Sequence, residues 1–187
     1  SSDLETPFAA AALAAAPDTL GIGLHLVVDP SAGEAEARAA LLRQLGTFEA
    51  LRGAAPTHLD SHKHAHARPG VLAAVAAVAA ARGLPVRAMD EALQAALRGR
   101  GVRTTDAFLG DASLRPGWTE ATLLAALAAL PEGVTELMAH PGYRPALART
   151  SFGVEREEEL RALTSRACWR AVEAAGIQLC SFSDLSR

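Results

Sequence analysis

Most side chains of this chain that could bind a metal ion together lie in one short segment, residues 56–66. Its sequence is Pro-Thr-His-Leu-Asp-Ser-His-Lys-His-Ala-His. Four of the six histidines of the chain lie there with one aspartate, all at even positions: His58, Asp60, His62, His64 and His66. In an extended segment alternate side chains point the same way, so the spacing predicts one face of imidazoles and a carboxylate. Zn²⁺ and related divalent cations bind these groups. The alternative is a histidine-rich surface patch or a tag remnant, which is rare inside a domain with a hydrophobic pattern.

Two further histidines lie in apolar runs that are typical of β-strands. His25 belongs to residues 19–27, Thr-Leu-Gly-Ile-Gly-Leu-His-Leu-Val, and His140 ends residues 134–140, just before Pro141. In an α/β barrel the carboxyl ends of the strands carry the site, so we expect these histidines and the cluster to converge. His25 is then a candidate metal ligand, and His140 a candidate general acid or base. The alternatives are a core histidine and a turn cap.

Arg87 lies in a short apolar run, Leu-Pro-Val-Arg-Ala, at residues 84–88. An arginine in such a run needs a partner. That partner could be a carboxylate near the site, or Glu136 or Glu91, and the sequence leaves these alternatives open.

Along the chain, apolar runs typical of strands alternate with patterns typical of helices. This alternation indicates βα units around a parallel sheet, and these units must position the residues named above. The predicted strands are residues 19–27, 56–60, 84–88, 134–140 and 177–182. The predicted helices are residues 31–50, which a capping box at 31–34 opens, an Ala/Val helix with Pro69 in its first turn and Gly83 at its end, and residues 120–130, 155–163 and 165–175. Because His66 lies just before Pro69, we expect it to face solvent.

The composition restricts the class of protein. A chain of 187 residues without an internal repeat or linker fits one domain, residues 1–187. The net charge of −3 and the absence of basic runs argue against a nucleic-acid partner. No apolar run is long enough to span a membrane and no signal peptide is visible, so a cytoplasmic location is expected.

Five pieces of sequence resemble, in this order, the YdjC-like carbohydrate deacetylases. They are Gly-Leu-His-Leu at residues 23–26, the histidine cluster at 56–66, Thr-Thr-Asp at 104–106, Glu-Leu-Met-Ala-His-Pro-Gly-Tyr at 136–143 and Arg-Glu-Glu-Glu-Leu at 156–160. The histidine cluster is the specific piece and the others support it. The pieces at residues 104–106 and 156–160 resemble most the branch of the family that is associated with hopanoid biosynthesis.

The resemblance implies a distorted (β/α) barrel of mainly parallel strands and metal-dependent removal of an N-acetyl group from an amino sugar or glycolipid. Matched residue by residue, His25 and His62 correspond to the family's metal-binding histidines, and Asp60 to a group that supports them. The implied cofactor is a divalent ion, Mg²⁺ or Zn²⁺, and His140 is the expected proton donor to the leaving amine. The implied partner is a small carbohydrate or glycolipid, and a homodimer is one oligomeric state left open.

One family motif has no counterpart here. The third ligand of the family is an aspartate of an Ala-Asp-Asp-Phe-Gly strand, whereas this chain contains no Asp-Asp pair. Residues 1–8 instead match the family's second strand, so the domain is expected to be incomplete at its N-terminus, without the first βα unit. The alternative function is therefore a catalytically inactive member that binds metal or carbohydrate without turnover.

Overall fold

The computed structural model describes residues 7–17, 19–110, 117–143 and 153–185, which form two compact units. The first unit comprises residues 1–105 and 180–187, and the second comprises residues 106–179. The prediction of a single domain stays a prediction. Residues 1–6 of the segment matched to the family's second strand lie outside the described residues, and its last two residues belong to a helix.

The first unit contains a parallel strand pair covered by helices. Its elements are α1 (Pro7–Ala15), β1 (Leu24–Leu26), α2 (Glu34–Arg52), β2 (Leu59–Ser61), a 3-10 helix (His62–Ala67), α3 (Pro69–Arg82), α4 (Glu91–Arg98) and a second 3-10 helix (Phe182–Asp184). β1 and β2 are paired with His25 opposite Asp60, and Val86 adds a parallel bridge to Leu59. The predicted strand at residues 84–88 is thus a single bridge.

The core of the first unit lies between this strand pair and the helices. Alternate strand residues, Leu24, Leu26 and Leu59, are each 1% exposed. They pack with buried side chains of α2 and α3, several of which are alanines, so the two helices can approach each other closely. Burial of Leu24 and Leu26 leaves His25, between them, on the opposite face of the strand.

The second unit repeats the same kind of pairing on a smaller scale. Its elements are β3 (Ala107–Leu109), α5 (Glu120–Ala128), β4 (Thr135–Leu137), α6 (Val154–Leu163) and α7 (Arg166–Ala174). β3 and β4 are parallel, and the helices meet around Leu123, Ala162 and Cys168. Both strand pairs therefore have the parallel direction that the sequence predicts.

Helix α3 confirms its predicted boundaries. Pro69 occupies the first turn, where its missing N–H costs nothing, and Gly83 ends the helix in a left-handed conformation with φ of 65°.

Two other boundary predictions are wrong. Ser31 does not cap α2, because its N–H and hydroxyl both donate to Asp29 (2.8 and 2.6 Å), and the helix begins after Gly33. Residues 177–182 do not form a strand among the described residues. Instead, Ser181 and Asp184 cap a 3-10 turn with reciprocal hydrogen bonds.

Candidate functional site

The strand pair of the first unit brings His25 and Asp60 together. Their Cα atoms are register partners, and His25 Nδ1 lies 2.9 Å from Asp60 Oδ1. The His25 side chain is 42% exposed and that of Asp60 only 12%. The imidazole is therefore accessible, while the carboxylate behind it is mostly buried.

Arg87 holds the other oxygen of the same carboxylate. Its Nη1 donates to Asp60 Oδ2 at 2.6 Å, and its backbone N–H donates to the Leu59 carbonyl at 3.0 Å. The sequence left three kinds of partner open for Arg87. The structure shows the first of them, a carboxylate near the site, which is that of Asp60. Burial alone would raise the pKa of Asp60, but the hydrogen bond from His25 and the positive charge of Arg87 outweigh it, and the pKa is lowered.

The ionised Asp60 determines which nitrogen of His25 carries the proton. A carboxylate only accepts hydrogen bonds, so Nδ1 must be the donor. In the neutral ring the lone pair is then on Nε2. This is the arrangement in which a carboxylate orients an imidazole for metal binding.

His62 follows β2 directly and lies beside His25. The two ring centroids are 5.9 Å apart and the rings are nearly perpendicular, at 85°. Partial desolvation, together with the positive charges of His25 and Lys63, lowers the pKa of His62 and favours the neutral form that can bind a metal. The structure thus brings His25 and His62 to one edge of the strand pair, as the sequence suggested.

The chain bends sharply after His62. Lys63 and His64 have left-handed backbone angles, with φ of 49° and 54°, inside the 3-10 helix. The prediction of one extended face through His66 is therefore wrong, because alternation ends with β2 at Ser61. The bend separates the five residues of the cluster into different environments.

His66 is a buried structural residue, so its predicted exposure to solvent is wrong. It is 0% exposed, and the bend folds it back under β2. Its Nε2 donates to the Arg87 carbonyl at 3.0 Å, and its Nδ1 accepts from the Ser61 hydroxyl at 2.6 Å. Burial lowers the pKa of His66 to about 4, and both ring nitrogens are used within the protein.

His58 also serves the packing of the first unit. Its ring stacks on Phe182 with centroids 4.2 Å apart, and Nδ1 lies 3.0 Å from the Thr57 hydroxyl. The ring fills the space over Gly23, where a Cβ would lie 2.4 Å from ring atoms. Burial lowers the pKa of His58 to about 4.

The donor set fits part of a divalent-metal site. His25 and His62 offer imidazoles on one edge, and Asp60 holds that of His25 through a hydrogen bond. Within the described ranges, however, no group of three or more His, Cys, Asp or Glu side chains could hold an ion. A catalytic zinc site needs about three protein ligands, so this pair is two thirds of the usual set.

His140 belongs to the second unit and is described there. It follows β4, and its backbone N–H donates to Oε2 of Glu159 at 2.5 Å. A second hydrogen bond lies nearby, in which the Trp118 indole N–H donates to the Met138 carbonyl at 2.9 Å. The sequence reasoning missed Glu159 and Trp118, although Glu159 lies in the fifth piece of the resemblance.

These observations define an α/β protein of parallel strands with an imidazole and carboxylate site at a strand end. The sequence profile of a family described as YdjC-like protein matches residues 24–174. The chain belongs to the YdjC-like family. Its assignment to the hopanoid-associated branch stays a prediction.

Two relatives illustrate the family. A human carbohydrate deacetylase is 32% identical over 193 residues, covering 80% of this chain and 59% of that protein. A chitooligosaccharide deacetylase of Serratia marcescens is 36% identical over 151 residues, covering 78% of this chain and 59% of that protein. In both alignments the matched region thus spans 59% of the relative's length.

A solved structure shares the fold. It comes from Enterococcus faecalis and is named as a candidate cellobiose-phosphate cleavage protein. The TM-score is 0.80 at 23% identity, over 98% of this chain and 84% of that chain. Together with the parallel pairing of both strand pairs, this likeness confirms the predicted α/β fold class.

None of the described helices combines the length and the apolar character that crossing a membrane requires.

Proposed function

We propose that this chain belongs to a carbohydrate deacetylase that hydrolyses the N-acetyl group of an amino sugar or glycolipid, with a divalent ion, Mg²⁺ or Zn²⁺. The observation that carries the proposal is the hydrogen-bonded series Arg87–Asp60–His25 with His62 alongside. Relatives named as carbohydrate and chitooligosaccharide deacetylases support the class of reaction.

The residues of the first unit have distinct roles in this proposal. His25 and His62 hold the ion, His25 through Nε2 because its Nδ1–H is engaged by Asp60. A bound divalent ion supplies Lewis-acid polarisation of the acetamide carbonyl and activation of water. Asp60 orients the site, since both of its oxygens accept hydrogen bonds and its lowered pKa makes it a weak base.

His140 protonates the leaving nitrogen in this proposal. Water loses one proton to an aspartate that acts as the base and adds to the acetyl carbon. The C–N bond then breaks, and the nitrogen must gain a proton to leave as an amine, with acetate as the other product. An imidazole titrates near neutral pH and suits such a transfer.

Acetate release by the full-length protein tests the function. A panel of N-acetylated glycans and glycolipids is compared before chelation, after chelation, and after Mg²⁺ or Zn²⁺ is restored. We expect activity that chelation removes and metal restores. His62→Ala should abolish it, while Arg68→Ala, which changes an exposed side chain of the same bend, should not.

The alternative of an inactive binding protein is favoured by one observation, the lack of a third metal ligand in the described part of the chain. It predicts that the panel yields no acetate while metal or carbohydrate still binds to the full-length protein. That result would replace the hydrolase proposal.

A further inference from the structure

The carboxylate of Glu159 joins two separate pieces of the second unit. Glu159 lies on α6 and is only 6% exposed. Its Oε1 accepts the backbone N–H of Trp118 at 3.2 Å, and its Oε2 accepts that of His140. A buried carboxylate is costly unless it is hydrogen-bonded, and here both oxygens accept backbone N–H groups.

Gly117 provides the space for this carboxylate. A Cβ at Gly117 would lie 2.2 Å from Oε1 and 2.8 Å from Cδ of Glu159. Its φ lies outside the positive range, so glycine serves there for space and not for backbone conformation. A methyl group at this position would push the carboxylate away from both N–H groups.

The segment around His140 is held on both sides of this contact. The Met138 N–H donates to the Leu109 carbonyl at 2.8 Å, which continues the pairing of β3 with β4. On the other side, the Gly142 N–H donates to the Arg156 carbonyl at 3.2 Å. Glu159 contacts the backbone of His140 itself, between these two points.

We propose that Glu159 is a positioning residue that fixes the backbone at His140, the residue that protonates the leaving nitrogen in the proposed function. This inference rests on the proposed function, in which His140 donates that proton. Glutamine cannot replace Glu159, because its NH₂ group would face one of the two backbone N–H donors. A misplacement of about 1 Å at a reacting group can cost about a hundredfold in rate, so the contact matters for turnover.

The kinetic test uses the full-length protein and a soluble N-acetylglucosamine disaccharide. Glu159→Gln and Gly117→Ala should each lower kcat by at least about tenfold while KM changes little. Adding Glu159→Gln to His140→Ala should cause no further loss, because both changes remove the same proton donation. Glu158→Gln, on the same helix, is the matched control and should behave as the wild type. Unchanged kcat in Glu159→Gln, or independent losses in the double variant, would overturn the proposal.

Amide hydrogen exchange at His140, followed by NMR without substrate, gives a second readout. We expect exchange of this N–H to accelerate by at least about tenfold in Glu159→Gln and Gly117→Ala, with protection in the α6 core retained. Unchanged exchange at His140 would overturn the positioning role. If the wild type releases no acetate from any substrate, the proposed function fails, and the exchange comparison still decides whether Glu159 fixes His140.

Discussion

Asp60 is the residue on which the candidate site of the first unit depends. It accepts hydrogen bonds from His25 and Arg87, and both the carboxylate and the guanidinium are largely buried. The even spacing of the cluster placed Asp60 beside the histidines, and its role as a group that supports them was implied by the family resemblance. It could not distinguish His62 from His66, because that difference comes from left-handed backbone at Lys63 and His64.

Asp60→Asn should weaken Zn²⁺ binding to the full-length protein by about 10- to 100-fold. The amide lacks the charge that pairs with Arg87 and orients His25. Calorimetric titration measures the change, and Asp29→Asn, an exposed carboxylate, is the control. Wild-type affinity in Asp60→Asn would show that Asp60 does not support the metal site.

The buried His66 should make the free energy of unfolding of the protein fall in acid. Its folded pKa of about 4 lies below the ordinary 6.5, so the unfolded chain binds the proton more readily. The contribution of His66 to the free energy of unfolding is therefore fully present above pH 6.5 and is lost as the pH falls from 6.5 toward 4. Between pH 7 and pH 5 this histidine should account for about 2 kcal/mol of lost unfolding free energy.

Urea titrations at the two pH values measure this effect. His66→Gln, whose amide can bond both Ser61 and the Arg87 carbonyl, should lose less stability over the same interval. Burial also lowers the pKa of His58, so His58 adds an acid-sensitive loss of its own. Because both proteins retain His58, this loss is the same in the two titrations. An equal loss in the variant and the wild type would contradict the role given to His66.

At the scale of elements, helices were more predictable than strands. The boundaries of α3 follow from Pro69 and Gly83, whose backbone preferences are local. Helix α4 was missed, although Asp90 caps it by accepting the Leu93 N–H. Strands were predicted too long because apolar runs show burial, whereas pairing depends on neighbours distant in sequence.

Gly23→Ala should destabilise the first unit, because its Cβ would meet the His58 ring at 2.4 Å. Overpacking of this kind costs about 2 kcal/mol, and the loss should appear in urea unfolding. Gly46→Ala provides a control of opposite sign. Gly46 is exposed inside α2 with nothing near its added Cβ, so alanine there should stabilise by about 0.5–1 kcal/mol. A harmless Gly23→Ala would contradict the packing of His58.

At the scale of the whole molecule, the resemblance indicated the family and the α/β fold class. The buried Glu159 could not be read from the sequence, because its partners Trp118 and His140 lie far from it along the chain. A run of acidic residues on a helix is usually solvated, so nothing in the local pattern marks one member as buried.

The 187-residue chain should bind Zn²⁺ more weakly than a longer version to which an N-terminal Ala-Asp-Asp-Phe-Gly strand has been added. Its described residues supply two imidazoles, whereas a catalytic site takes about three protein ligands. Calorimetric titration of the two proteins measures the difference. Equally tight one-to-one binding by the shorter chain would show that it already contains a third ligand.

The most direct test of the account is whether His25 and His62 bind the same ion. Zn²⁺ titration of the full-length protein compares the wild type, His25→Ala, His62→Ala and the double variant. We predict one ion in the wild type, a loss of at least about 100-fold in each single variant, and little further loss in the double variant. Wild-type affinity in either single variant would contradict the assignment of these two histidines to one metal site.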